Sequence, residues 1–238
     1  GARRVVEAGA LQPLGIKRFF GLHVDPGLPT GVVSIPDGAL SASVDRIAIR
    51  VGGRGSHAAR PQLGRDPIVA ASRLVGDLQE VVSRTVDPFD PAVLSITRIS
   101  GGTSWNIIPE SAELEGTVRT MNPAVRDAIR SEVQARVDAL VAEGYDAALD
   151  WETCCPPVIN ERGLARPARE IARSAGLELG DFLPTMGGED FSELYAIAPG
   201  VFAHVGVGCA YPLHNPHFVA DEAALPVAAR LHVAWAAE

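Results

Sequence analysis

The most constraining stretch of this sequence is residues 44–151, where the apolar period switches in a fixed order. Ile47, Ile49 and Val51 alternate with Ala48 and Arg50, the period-two signature of a strand with one buried face. From Pro67 to Ser83 the apolar positions Ala71, Leu74, Val75, Leu78, Val81 and Val82 take helical spacing instead. Strands follow at Val93 to Ile99 and Ala112 to Thr120. Asn122 then caps a helix that carries Pro123 at its first position, a placement that uses the lone pair of one and the fixed φ of the other. The stripe of that helix is Val125, Ile129, Val133, Val137, Leu140 and Val141, and Gly144 ends it. Tyr145 to Trp151 closes the series as a strand. The order β-α-β-β-α-β predicts a split-βαβ, ferredoxin-like α+β module with two helices on one face of a four-stranded sheet.

Both flanks alternate helix and strand. Before the module come a short helix, Arg3 to Ala10, an apolar strand, Phe19 to Val24, and the Pro/Gly-rich stretch Asp25 to Gly31, which is not regular structure. After it come a helix from Arg162 to Ser174 ended by Gly176, a second from Glu189 to Ile197, a strand from Val201 to Val207, and a last helix from about Asp221. The expected organisation is therefore an α/β catalytic domain in two segments, residues 1–42 and 154–238, interrupted by an inserted α+β domain over residues 43–153.

Composition excludes some partners. The 238 residues carry a formal net charge of −8 and no Lys/Arg-rich run, so nucleic acid is not expected as a partner. No apolar run approaches the ~20 residues that span a bilayer, and the first residues lack the apolar centre of a signal peptide, so no membrane is expected either. Three cysteines, two of them adjacent, do not make a disulfide framework, and a reducing cytoplasmic setting is the default expectation.

Several residues have side chains suited to chemistry. His23 ends an apolar strand just before a Gly/Pro loop, where α/β sheets place active groups. By itself a lone histidine there is more often structural. His214 lies between Pro212 and Pro216, which fix the backbone around it, and His217 is its competitor. No Cys-x-x-Cys or His-Glu-x-x-His motif completes a metal site. The loop from Gly52 to Pro61 contains Ser56-His57, where adjacent residues make a poor nucleophile pair, and the alternative role for His57 is stabilising a transition state. Asn106 and Arg119 flank the turn between the middle strands. An amide and a guanidinium brought close would clamp a carboxylate, and a strand-edge ion pair is the plainer alternative. Gly188-Glu189-Asp190 sets a glycine before two acids at a helix start, either dipole complements or groups that orient a ligand.

Taken in order, Gly21-Leu22-His23-Val24, Gly55-Ser56-His57-Ala58-Ala59, Gly101-Gly102-Thr103-Ser104-Trp105-Asn106-Ile107-Ile108-Pro109, Gly116-Thr117-Val118-Arg119, Gly188-Glu189-Asp190-Phe191 and Leu213-His214-Asn215-Pro216 resemble the metal-dependent aminoacylase and carboxypeptidase superfamily. The sequence is most similar to the branch of hippurate hydrolases, N-acetyl-amino-acid deacetylases and auxin-conjugate hydrolases. The resemblance implies two divalent metal ions (zinc, manganese, cobalt or nickel), an inserted lid that also forms a homodimer, and an N-acyl-amino acid substrate cleaved at its amide bond. It implies His23 and His214 as metal ligands, and His57 as the group that polarises the scissile carbonyl. It also implies Asn106 and Arg119 as holders of the substrate carboxylate, and Gly188, Glu189 and Asp190 as support behind the ligands. In that branch a Cys-x-His pair and a Glu-Glu pair precede the first helix, the first glutamate acting as general base. Neither stands in this sequence, so the chain by itself is expected to be truncated and inactive. Ser56 replaces a customary glycine. The competing expectations are a non-catalytic, dimerising carboxylate binder and a dipeptidase of the same superfamily.

Overall fold

The computed structural model describes residues 1–237, and their contacts divide them into two units. In chain order the elements are α1 (Ala2–Glu7), β1 (Phe19–Asp25), β2 (Val33–Ser34), β3 (Gly38–Ser41), β4 (Val44–Gly52), β5 (Ser56–His57), α2 (Pro67–Thr85), β6 (Ala92–Gly101) and β7 (Ile107–Ile108). They continue with β8 (Ser111–Thr120), α3 (Pro123–Ala142), β9 (Asp146–Cys155), β10 (Val158–Asn160), α4 (Arg162–Ser174), β11 (Gly200–Gly206) and α5 (Ala224–Ala236).

The inserted unit comprises Ala42–Pro157 together with Met186–Gly188. Its sheet has the order β6-β8-β4-β9, every neighbouring pair antiparallel. This is the ferredoxin-like arrangement that the alternation of periods predicts. Ile47, Ile49, Val51, Leu114 and Val118 line one face and are at most 1% exposed. Against them pack Leu74, Leu78 and Val81 of α2 and Ile129, Val133 and Val137 of α3. Pro opens both helices. Asp66 caps α2 by accepting from the Ile68 N–H at 2.9 Å, and Asn122 caps α3 by accepting from the Ala124 N–H at 3.0 Å. The other sheet face carries the odd-phase residues Arg46, Arg50, Glu113, Glu115, Thr117 and Arg119.

One charged residue breaks the phase. Asp45 falls in step with Ile47, Ile49 and Val51, so its side chain enters the helix-covered face, where it is fully buried. Three donors meet its carboxylate: Arg126 Nε at 2.8 Å, Arg126 Nη2 at 2.6 Å and Trp151 Nε1 at 2.9 Å. A buried carboxylate survives when it is paired and hydrogen-bonded in this way.

The second unit is discontinuous: residues 1–41, 158–185 and 189–237. β1 pairs parallel with β11, and β11 antiparallel with β2, while β3 and β10 form a separate ribbon. Helices α4 and α5 share a core with this sheet through Ala165, Ala168, Ala172, Leu231 and Trp235. Some expected boundaries move. The first helix stops at Glu7, before Gly9 takes a left-handed φ of 69°. The helix expected from Glu189 is a 3-10 helix, Asp190–Ala196, with Glu189 as its cap. The last helix begins at Ala224, because Asp221 spends its carboxylate on the Ala223 N–H at 3.0 Å. None of the three cysteines forms a disulfide, and among the described residues no helix is long and apolar enough to cross a membrane.

Candidate functional site

Two histidines are sorted by what their Nδ1 atoms meet. His23 lies on β1, and its Nδ1 is 2.8 Å from the carbonyl oxygen of Val24. A carbonyl only accepts, so Nδ1 carries the proton and a neutral ring presents a bare Nε2 lone pair. That tautomer suits a metal ligand. His57 is the reverse case. The Ala59 N–H donates to His57 Nδ1 at 3.1 Å, so the neutral ring holds its proton on Nε2 and presents a donor. The same residue type is thereby set up for opposite tasks, one to give an electron pair and one to give a hydrogen bond.

His57 stands on β5, a two-residue strand that pairs with β7 in the register His57↔Ile107. The pairing brings in Asn106, whose carbonyl accepts from the Ala58 N–H at 3.0 Å. Ser104 Oγ donates to Asn106 Oδ1 at 2.8 Å, which fixes the amide and leaves its NH2 group pointing elsewhere. Beside them lies a recess of about 670 Å³ lined by Gly55, Ser56, His57, Gly102, Thr103 and Ile107. His57 is exposed and Trp105 is 93% exposed at the edge of the same loop.

Arg119 is elsewhere, and the expectation that it meets Asn106 in one clamp is corrected by the hairpin register. β6 and β8 run antiparallel from Gly101↔Ala112 at the loop end to Val93↔Arg119 at the other. Seven strand steps separate Ala112 from Arg119, and at ~3.4 Å per residue they span roughly 24 Å. Within one chain, Asn106 and Arg119 therefore sit at opposite ends of the sheet. Arg119 is half-buried, and its Nε donates to Thr117 Oγ1 at 3.0 Å. Among the described residues no carboxylate lies within ion-pair distance of it; Glu115, on the same strand face, is taken by Arg46 and Arg98. Gly188 passes alongside: a Cβ there would stand 2.1 Å from Val44 Cγ2 and 3.5 Å from Arg119 Nη1. Glycine is required by that approach, not by φ.

His214 and His217 are separated by backbone geometry. His214 has φ 65°, and among the described residues it is the only non-glycine with a positive φ. Such conformations cost energy and gather at functional positions. His217 takes no such strain; its ring lies 5.4 Å from that of Tyr211. Glu189 and Asp190 are engaged by backbone: Glu189 Oε1 accepts from the Phe191 N–H at 3.0 Å, and Asp190 Oδ2 from the Ala2 N–H at 2.9 Å. Among the described residues no group of three or more His, Cys, Asp or Glu side chains gathers around a common point. His23 and His214 thus offer one imidazole each, chemically fit as single ligands, without a complete coordination sphere.

The sequence reading missed His204. It opposes His23 across the parallel pair and stacks on Phe182 with ring centroids 3.8 Å apart. Burial pushes its imidazole down to about 4. Its signal was visible as a lone polar residue inside the apolar run Val201–Val207.

Fold and site define a class: a discontinuous α/β unit bearing a candidate ligand histidine, interrupted by a ferredoxin-like module that carries a donor histidine. Residues 40–144 match the M20 peptidase dimerisation domain. The chain is 41% identical over 97% of its length to an N-acetylcysteine deacetylase of Bacillus subtilis, covering 60% of that protein. It is 34% identical over 99% of its length to an N-acetyldiaminopimelate deacetylase of Bacillus licheniformis, covering 63% of it. A solved dinuclear metal-binding peptidase of the M20 family from Bacillus subtilis superposes with a TM-score of 0.82 at 35% identity, over 99% of this chain and 60% of that one. Over residues 40–144 the chain carries the M20 dimerisation domain, and along nearly its whole length it is similar to these proteins. It spans about 60% of the length of the curated relatives it matches.

Proposed function

We propose that this chain is part of a metal-dependent amidohydrolase that hydrolyses the amide bond of N-acyl-amino acids, releasing a carboxylic acid and an amino acid. The observation that carries the reading is the tautomer of His57. A neutral imidazole with its proton on Nε2 donates to the oxygen of a scissile carbonyl and strengthens that bond as the oxygen becomes anionic. Asn106, held beside it by the β5–β7 pairing, adds an NH2 donor to the same end of the sheet. Arg119, with its two Nη groups unspent on any carboxylate of the described chain, takes the substrate carboxylate. His23 and His214 each contribute an imidazole toward divalent metal ions. When bound, those ions supply Lewis-acid polarisation and an activated water.

The ~24 Å between the two ends of the sheet means that one copy does not bring Arg119 and His57 to one small substrate. A homodimer built through the inserted unit resolves this, with His57 and Asn106 serving the partner's site. The match of residues 40–144 to a dimerisation domain supports this reading.

The test is complementation in the full-length enzyme. A His57→Ala chain is mixed with a His23→Ala chain, each inactive alone, and the heterodimer is purified on two tags. A trans contribution restores up to about half of the sites. Proven heterodimers without activity would mean that His57 serves its own chain or no site. His57→Ala alone should lower kcat about 100-fold with KM nearly unchanged. A panel of N-acetyl, N-benzoyl and dipeptide substrates then separates an acylase from a dipeptidase.

A further inference from the structure

Thr117 precedes Arg119 by two residues on β8, so the two side chains share the open face of the sheet. Its hydroxyl is used twice. Oγ1 donates to the backbone carbonyl of Asp45 on the neighbouring strand at 2.9 Å. Since a carbonyl only accepts, the single hydroxyl proton is spent there. The oxygen lone pair then receives the Arg119 Nε–H at 3.0 Å. Asp45 is itself immobile, with its carboxylate buried and held by Arg126 and Trp151 on the other face. A rigid line therefore runs from the buried carboxylate through the Asp45 backbone and the Thr117 hydroxyl to the guanidinium.

A guanidinium meets a carboxylate in two planar ways, through the Nε/Nη edge or through the Nη1/Nη2 edge. We propose that Thr117 is a positioning residue that commits Arg119 Nε and so makes Arg119 grip the substrate carboxylate end-on, through Nη1 and Nη2. The proposal rests on the assignment of Arg119 to the carboxylate. Two further features agree with it. The nearest acid on the strand face, Glu115, is occupied by Arg46 and Arg98 and does not draw the fork away. Glycine at position 188 leaves the Nη1 side open, since a Cβ there would stand 3.5 Å from Arg119 Nη1.

The experiment compares T117V, which keeps the shape and deletes the oxygen, with T117S, which keeps the hydroxyl. Both are made in the full-length enzyme alongside R119A. Steady-state KM and kcat are measured for an N-acetyl-amino acid and for its carboxyl-amidated analogue. T117V should raise KM for the free carboxylate about tenfold, since a hydrogen bond to a charged group is lost. It should leave kcat and the amidated substrate nearly unchanged. T117S should restore KM to within about twofold, and T117V/R119A should be no worse than R119A, because the two residues act as one unit. The second readout is the Nε–H resonance of Arg119, which should exchange slowly with water in the wild type and in T117S. It needs no folded valine variant. If R119A raises KM for the carboxylate and T117V does not, Thr117 is no positioning residue while Arg119 keeps its role. If R119A leaves KM unchanged, the carboxylate assignment itself falls. Rapid exchange of the wild-type Nε–H overturns the proposal whatever the kinetics.

Discussion

Replacing Asp45 with Asn tests whether burial, and not the number of ion pairs, decides which charges hold the inserted unit together. The Asp45 side chain is fully buried, and its partner Arg126 is 19% exposed. The substitution keeps the volume but removes the charge, and it turns an NH2 group toward donors on Arg126 and Trp151. Breaking one side of a buried pair costs ~3–5 kcal/mol. The residual water access of Arg126 puts this case at the lower end, about 3 kcal/mol. The assay is native-state hydrogen exchange, because it reads the two units separately. A loss of about 3 kcal/mol should speed exchange of the slowest β4 and β8 amides by ~100-fold, with β1 and β11 unchanged as the internal reference. Glu115→Gln is the control, since Glu115 also pairs with two arginines but is 27% exposed, with partners at 45% and 61%. It should leave the exchange of the same amides nearly unchanged, because solvent screens exposed ion pairs. Equal losses for the two variants would refute the argument from burial.

Two other perturbations have definite expected outcomes. Gly188→Ala should destabilise the inserted unit by ~1–3 kcal/mol through the contact with Val44 Cγ2; adding Val44→Ala should recover most of it, and an undiminished penalty in that background would rule the contact out. His204 has its imidazole pushed down to about 4 by burial, from an ordinary 6.5. The unfolded chain therefore takes up the proton first, and stability is lost as pH falls from about 6.5 toward about 4. The loss should be roughly 2–3 kcal/mol. Thermal melts between neutral pH and that range, with chelator present, should show the slope flattened in His204→Phe, and an identical slope would exclude His204 as its source.

The fold was legible where a period and a cap agreed. In α3 the stripe from Val125 to Val141 and the Asn122-Pro123 start both belong to the local chain, so nothing remote was needed to read them. The six-element order gave the ferredoxin-like sheet for the same reason. Residues 177–190 were not legible: they lack a period and attach to the sheet through isolated bridges such as Val33↔Leu179. For the site, residue types and order suggested His23, His57, Asn106 and Arg119, but distances were out of reach. The proximity of His57 to Asn106 depends on β5 finding β7, and the separation of Arg119 depends on the hairpin register. Asp45 carried a readable sign, an acid in phase with Ile47, Ile49 and Val51, which went unused. The two jobs of the Thr117 hydroxyl left no sign in the sequence, because both are set by neighbours across the sheet.

The bulge in the β6–β8 ladder limits how such a chain can vary in length. Between Ile96 and Arg98 the register shifts, so Thr97 is an extra residue on β6 with no opposite number. The odd residue falls on the strand that bears neither Thr117 nor Arg119, and Gly116 makes room for it, since a Cβ there would stand 2.3 Å from the Ser95 carbonyl oxygen. β8 keeps strict alternation from Ala112 to Thr120. Deleting one residue between Ser111 and Thr117 would turn Arg119 into the helix-covered face and bring Val118 out to water. Length changes there are tolerable only in pairs, and β6 is the strand free to absorb single ones. Homologous hairpins should accordingly differ by a single residue only at this bulge on the β6 side, and by even numbers on the β8 side.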